Sequence, residues 1–522
     1  MQFVSVSFLL FAAILLALYY LVPGKVRWML LLLASYVFYL WAGAEYVVFI
    51  LFTTLSTYLA TLWMDCRLAK QDAFVAECKQ QQRNAEIKPY KARVKAGNRI
   101  LMLVCIILNF AILALCKVLL VDPFRTMAEG TVVSFLSLGL PLGISFYMFQ
   151  SMGYVIDVYR GTVKAERNPF KTALFVSYFP QLIQGPISKF SQLGPALVTP
   201  HKFDGKAFSF GLQRLLWGYF KKLVIADRIA AAVVALKAPQ FTGVGFFLLT
   251  LFYAVQIYAD FTGGIDMAIG LSQAMGIPLA ENFIRPFFSR NIAEYWRRWH
   301  ITLGVWMKDY IFYPISISKP MLKLSKAARA KLGNFGKRLP VYVASIATWF
   351  VTGIWHGITP NFILWGMLNC FVIVVSEELA PLYAKFHGRF HLNEKKWYDG
   401  FQMVRMFLLM NLIRIVDLFP NVGEYFSRMG SLVTTFNFHI LWDGTLLQLG
   451  LTGLDYGILL CGIVLMFTVS VIQEKKGSLR QLLWDADPIL RYILLFLLLL
   501  AVLLMGSYGL GYNASSFIYN QF

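Results

Sequence analysis

Two of the six histidines stand where an imidazole is expensive. His356 lies in TGIWHGITPNFILWG, inside residues 339–376, a long apolar stretch with no Asp, Glu, Lys or Arg. A titratable ring at membrane depth is costly unless it is paired or lines a polar cavity. Gly353, Gly357 and Pro360 around it predict a break between two helices. Irregular backbone at such depth is tolerated where it is buried in protein or lines water. Two readings are open at this point: a buried structural histidine satisfied by a backbone carbonyl, or a catalytic base. His300 ends the run EYWRRWH and is followed by ITLGVWMKDYIF. Trp296 and His300 are four apart, which on a helix puts them on one face. The segment reads as an amphipathic helix at a membrane interface with Trp anchors. His201, His387, His391 and His439 sit in polar or loop-like surroundings and carry no functional expectation.

The other candidates are charged side chains in apolar surroundings. Asp260 and Asp266, in YADFTGGIDMAIGL, are the only two charges in residues 238–280. Acids inside membrane segments are functional candidates by default. The competing reading has each acid paired with an arginine of the Arg285–Arg298 region to lock the fold, since six residues apart they do not share a helix face. Thr262, Gly263 and Gly264 between them predict a kink or a close helix approach. Arg297 and Arg298 are candidates for holding an anionic substrate. Gln181, Gln184 and Lys189, spaced around Pro180 and Pro186, suit a re-entrant or broken segment. The chain has no GxGxxG, Walker, HExxH or GxSxG motif, which argues against nucleotide hydrolysis, zinc proteolysis and the usual serine-hydrolase elbow. No metal-type spacing appears among the six cysteines, which are expected to be free thiols.

The elements that position these residues follow from composition. Of 522 residues, 58% are hydrophobic and 14% charged, and mean hydropathy is +0.62. Soluble domains carry about 25% charged residues. Apolar runs of about 20 residues can span a bilayer, and they recur from Met1–Leu21 to residues 492–510. We expect one continuous domain over residues 1–522, an all-α polytopic membrane protein with roughly ten to twelve crossings. Residues 213–228, QRLLWGYFKKLVIADR, suit an interfacial helix whose basic side chains reach the headgroups. The net charge of +21 could indicate nucleic acid in a soluble protein; here it reflects Lys and Arg collecting in cytoplasmic loops. Arg67–Arg99 holds nine Lys/Arg and Lys319–Arg338 holds seven without an acid. With Lys385–Lys396 and Glu474–Arg491, these segments are expected in the cytoplasm and Gly511–Phe522 outside.

Residues 258–315, from YADFTGGIDMAIGL to KDYIFYPI, closely resemble the membrane-bound O-acyltransferase family in its bacterial polysaccharide branch. GIWHGITPNFILWG resembles the family's histidine motif, and SFYMFQSMGYVIDVYRG (145–161) and YFPQLIQGPI (178–187) resemble further signatures. GYNASSFIYNQF resembles the branch's carboxyl terminus. Asn369, where many relatives have a second histidine, and LIRIVDLFP (412–420) depart from the pattern.

The resemblance implies a ring of membrane helices around a thin centre joining a cytoplasmic donor chamber to an outer acceptor funnel. It maps the family histidine onto His356 and the second frequently retained histidine onto His300. His356 would act as general base on a sugar hydroxyl, for which an imidazole pKa near 6.5 is suited. His300, Asn361 or a backbone N–H would steady the oxyanion. Arg297 and Arg298, with Asp260 and Asp266 in support, would serve the donor side. No bound cofactor or metal is required, the acyl thioester (acetyl-CoA or an acyl carrier) being substrate. The implied partners are the lipid bilayer of the cell membrane, a polysaccharide acceptor and an extracytoplasmic hydrolase-like acetyltransferase, without nucleic acid. D-Alanine transfer to teichoic acid from a carrier-protein thioester is the alternative within the fold. A channel or secondary transporter is the alternative outside it, although no inverted repeat supports one.

Overall fold

The computed structural model describes residues 3–120, 124–128 and 139–508. Among these the secondary structure is helical, apart from an isolated antiparallel bridge between Phe283 and Trp299. The carboxyl-terminal run Gly511–Phe522, with its resemblance and its expected outside location, lies beyond the described residues. Six described helices are long and apolar enough to cross a bilayer: Ala44–Gln80, Asn84–Val118, Val244–Ala274, Pro360–Glu378, Gly453–Lys476 and Pro488–Met505. Val6–Leu21 is a shorter apolar helix. The protein is a multi-pass, all-α membrane protein. The packing groups into two compact units, residues 1–211 with 271–280, and residues 212–270 with 281–522.

In the first unit, the basic segment after Asp65 is helix rather than irregular loop. Val47–Gln80 and Asn84–Val118 form a hairpin closed by Gln82 in the left-handed region (φ 60°). At 1.5 Å per residue each helix runs about 50 Å, well beyond a hydrocarbon core of about 30 Å. Their basic ends therefore extend past the bilayer. Inside the hairpin, Asn109 Nδ2 donates to Ser56 Oγ (3.0 Å) and Asn98 Nδ2 to the Met64 carbonyl (3.3 Å). Such polar contacts tie helices together in lipid, where the hydrophobic effect does not. Pro180 and Pro186 bracket a broken segment, as their spacing predicts. There Gln181 Nε2 donates to the Pro186 carbonyl (2.9 Å) and Ser188 Oγ (2.5 Å), and its Oε1 accepts from Gln150 Nε2 (2.8 Å). The six cysteines are free thiols.

The second unit holds the candidate site. Lys319–His356 is one 38-residue helix broken in its backbone at Gly333 (φ 56°, ψ −129°); its basic residues run to Arg338, just past the break, and an apolar stretch then leads to His356. Gly357 terminates it in extended conformation, and Pro360 opens the next helix, Pro360–Glu378. Proline suits a helix start because its missing N–H is unneeded there. The two helices touch through glycines. A Cβ on Gly353 would lie 2.7 Å from the Phe362 carbonyl, and one on Gly366 would lie 2.4 Å from the Trp349 carbonyl.

The interfacial reading of residues 213–228 is corrected. Phe220–Ala226 is π-helical, and Lys221 and Lys222 are buried instead of reaching for headgroups. The segment packs on Val244–Ala274 at a glycine crossing, where a Cβ on Gly218 would meet the Gly263 carbonyl at 2.7 Å. That close approach delivers the two lysines to Asp260 and Asp266.

Candidate active site

The single amphipathic helix expected around His300 does not form. Ile292–Arg298 stops at Trp299, which is extended, and His300 takes left-handed angles (φ 47°, ψ 50°) before Ile301–Met307 begins. A non-glycine residue there is uncommon and stores on the order of 1–3 kcal/mol of strain. The surroundings hold it. The Ile284 N–H donates to the Arg298 carbonyl (2.9 Å) and the Ile301 N–H to the Asn282 carbonyl (3.0 Å). The break removes Trp296 and His300 from one face. Trp299 and His300 turn inward, at 1% and 2% exposure.

Asn282, which the sequence reading did not single out, fixes the His300 ring. Its Oδ1 accepts from the Thr302 backbone N–H (3.0 Å) and from Thr302 Oγ1 (2.9 Å), and lies 3.3 Å from His300 Nδ1. Because the backbone N–H can only donate, that atom of Asn282 is the oxygen. Nδ1 of His300 therefore carries the proton, and Nε2 is the lone-pair nitrogen of the neutral ring. Burial, with the Arg414 charge nearby, pushes the His300 pKa down to about 3, so the ring is neutral at physiological pH.

His356 sits at the end of its helix, buried, with the rings of Trp355 and Trp365 each 4.7 Å away centre to centre. Trp355 also stands 6.0 Å from His300, so one indole separates the two imidazoles. Trp296, Trp349 and Trp365 pack edge to face at 4.8 to 6.0 Å. The Nε1 atoms of Trp296 and Trp365 are buried donors with no hydrogen-bond partner among the described residues. Arg414, from the run that departs from the family pattern, is buried and lies over Trp299 at 4.2 Å and Trp365 at 5.9 Å. Its sequence signal was a lone arginine in LLMNLIRIV, a costly residue among apolar neighbours.

The remaining candidates are placed as follows. Asn361 Nδ2 donates to the carbonyls of Val416 and Asp417 (3.3 Å each), and its Oδ1 accepts from Thr359 Oγ1 (2.6 Å). It ties the start of the Pro360–Glu378 helix to the Ile415–Leu418 turn. Asn369 is buried and donates to the Trp365 carbonyl, one turn back (2.8 Å). Asp260 pairs with Lys222 (2.6 Å), which also pairs with Asp227 (2.8 Å). Asp266 pairs with Lys221 (2.6 Å) and Arg214 (2.7 Å), and Arg214 reaches Glu281 (2.6 Å). The pairing reading holds, but the partners are not in the Arg285–Arg298 region. The π-helical turn sends adjacent lysines to acids six residues apart, which the sequence pattern does not reveal. Arg298 pairs with Glu294 (2.8 Å) and Glu474 (2.9 Å), while Arg297 is exposed. Among the described residues no cluster of three His, Cys, Asp or Glu side chains could hold a metal ion.

The profile of the membrane-bound O-acyltransferase family, MBOAT, matches residues 166–416, which span both histidines and both aspartates. The chain belongs to this family. A probable alginate O-acetylase of Pseudomonas fluorescens is 35% identical over 380 residues, covering 72% of this chain and 66% of that protein. A peptidoglycan O-acetyltransferase of Helicobacter pylori is 32% identical, with 58% and 60% covered. A teichoic acid D-alanyltransferase of Bacillus subtilis is 26% identical, with 44% and 56% covered. The match thus spans just under two thirds of the first relative's length.

Proposed function

We propose that this protein transfers an acyl group, acetyl in the first instance, from a cytoplasmic thioester to hydroxyls of an exported or cell-wall polysaccharide, directly or through an extracytoplasmic acetyltransferase partner. The observation that carries this is the placement of His356, a buried imidazole at a helix break, walled by Trp355 and Trp365 and one indole away from His300. In the reaction, His356 takes the acceptor hydroxyl proton as the oxygen bonds to the thioester carbonyl carbon. The tetrahedral adduct then collapses, the carbon–sulfur bond breaks, and the proton passes to the departing thiolate. His300, with its lone pair on Nε2, is an acceptor suited to orienting the hydroxyl. Asn361 has its amide hydrogens committed to carbonyls. The indole N–H of Trp365, whose ring packs on His356 at 4.7 Å, is a buried donor of the kind an oxyanion needs.

The acetylases among the relatives match longer stretches, at higher identity, than the D-alanyltransferase. This favours acetyl over D-alanyl transfer, and family membership favours transfer over transport. The test is chemical analysis of exported and wall polysaccharide from cells expressing the wild type or His356→Ala at equal membrane levels. Acetyl ester should fall by about 10²–10⁴ in rate of formation, as expected for loss of a general base. Unchanged ester content would defeat the assignment, and loss of D-alanine ester instead would select the alternative.

A further inference from the structure

A cavity of about 770 Å³ lies within the second unit; no histidine lines it, although Phe283 on its wall stacks on His300 at 6.5 Å, and the proposed reaction does not use it. Its wall has two characters. One side carries Arg214, Lys221, Arg285 and Arg480 against the two carboxylates Asp266 and Glu281. Arg214 spends its donors on those two acids. Arg285 pairs with Glu474 through Nε only. Arg480 lies close enough to Arg214, Asp266 and Glu281 to feel their charges. The other side is apolar and comes mainly from Leu465–Val469 of the Gly453–Lys476 helix and Leu494–Ala501 of the Pro488–Met505 helix. These are the two least buried of the long apolar helices, at 17% and 6% of their central windows. Helices so little buried offer most of their apolar surface to lipid, and the cavity lies directly behind them. Arg480 stands on the connection between them, in the segment whose charge excess places it at the cytoplasmic surface.

An occupant must therefore offer an anionic group at the cytoplasmic interface and hydrocarbon directed into the membrane. A water-soluble thioester donor matches the first demand and not the second. We propose that this cavity is a binding site for one anionic phospholipid, its phosphate at Arg480 and Arg285 and its acyl chains along the Leu465–Val469 and Leu494–Ala501 faces. A bound lipid of this kind would seal the gap between the two outermost helices and the Asp266 cluster, keeping bilayer and water apart where charges lie closest to lipid.

The test uses the full-length protein in nanodiscs, with phosphatidylglycerol and phosphatidylcholine of identical chains. Native mass spectrometry should show one phosphatidylglycerol retained at least tenfold in preference to phosphatidylcholine. Arg480→Gln combined with Arg285→Gln should abolish the preference. A second readout keeps the proposal open to failure if that variant misfolds. Trp217 lines the cavity, so phosphatidylglycerol with brominated chains should quench wild-type fluorescence more than it quenches Trp217→Phe. Equal retention of the two lipids, or equal quenching of the two proteins, would overturn the proposal. So would displacement by inorganic phosphate alone, which would indicate a free-anion site. Competitive displacement by acetyl-CoA would also overturn it, assigning the cavity to the donor. The readouts are binding, so acyl-transfer activity does not enter them.

Discussion

Asn282 controls the His300 tautomer with a single oxygen, and replacing that oxygen separates positioning from packing. Asn282→Ala removes the acceptor for Thr302 and for His300 Nδ1. It should lower kcat by about ten- to a hundredfold, in the range of positioning effects. Asn282→Asp keeps an acceptor at the same place but adds negative charge, which favours imidazolium. It should retain more activity and move any His300-dependent limb of the pH–rate profile upward. Activity in Asn282→Asp no higher than in Asn282→Ala would remove the Asn282–His300 contact from the chemistry. Lys222 makes a different prediction, about stability. It is enclosed by Asp227 and Asp260, all three side chains at 3% exposure or less. Lys222→Met leaves two buried carboxylates without their cation, which costs about 3–5 kcal/mol. The variant should melt well below wild type in detergent. Adding Asp260→Asn and Asp227→Asn should recover most of the loss.

The helix pair ending and beginning at His356 depends on backbone approach that only glycine permits. Gly366→Leu would drive its side chain into the Trp349 carbonyl, which a Cβ already meets at 2.4 Å. It should lower both melting temperature and acyl transfer, because the His356 turn is held by that contact. Gly388, within the Ala380–Phe390 helix, has nothing within 4 Å of a Cβ. Gly388→Ala should leave activity unchanged and stabilise slightly, by up to about 1 kcal/mol, through helix propensity. Thermal melts and transfer assays on the same two preparations check both outcomes. Equal behaviour of the two variants would mean the helix crossing does not set the site.

Sidedness belongs to the whole molecule. The basic ends of the Val47–Gln80 and Asn84–Val118 hairpin extend past the bilayer, and charge bias predicts a cytoplasmic location for them. Cys66 is exposed there, whereas Cys78 is fully buried and cannot serve as a second reporter. In a Cys461→Ser background, an impermeant thiol reagent should label Cys66 only after cells are permeabilised; labelling of intact cells would invert the orientation. Thioester donors are made in the cytoplasm, and finished exported polysaccharide lies outside. Vesicles of known orientation, given labelled acetyl-CoA on the cytoplasmic face alone, should produce acylated acceptor on the opposite face, and His356→Ala vesicles should not. Equal activity with both substrates confined to one face would exclude the transmembrane route.

Much of this protein is determined by the order of its residues alone. Apolar runs of bilayer length specify crossings because lipid offers no partner for an open backbone. Gly357 and Pro360 specify the break at His356 because one ends a helix and the other starts one, and the spacing of the motifs identifies the family. Tertiary structure decided what depends on residues distant in sequence. The acids at 260 and 266 found Lys222 and Lys221, with Arg214 also on Asp266, because a glycine crossing at Gly218 and Gly263 brings a π-helical turn within reach. The helix predicted through Trp296 and His300 broke because Trp299 pairs with Phe283 and Asn282 caps Thr302, contacts that outweigh local helical preference. Arg414 reaches the site by lying over Trp299, and the cavity beside the Asp266 cluster exists because two carboxyl-terminal helices wall it. Periodicity encodes which way a side chain faces on its own helix, but not which distant backbone will stop that helix or which charge will meet it.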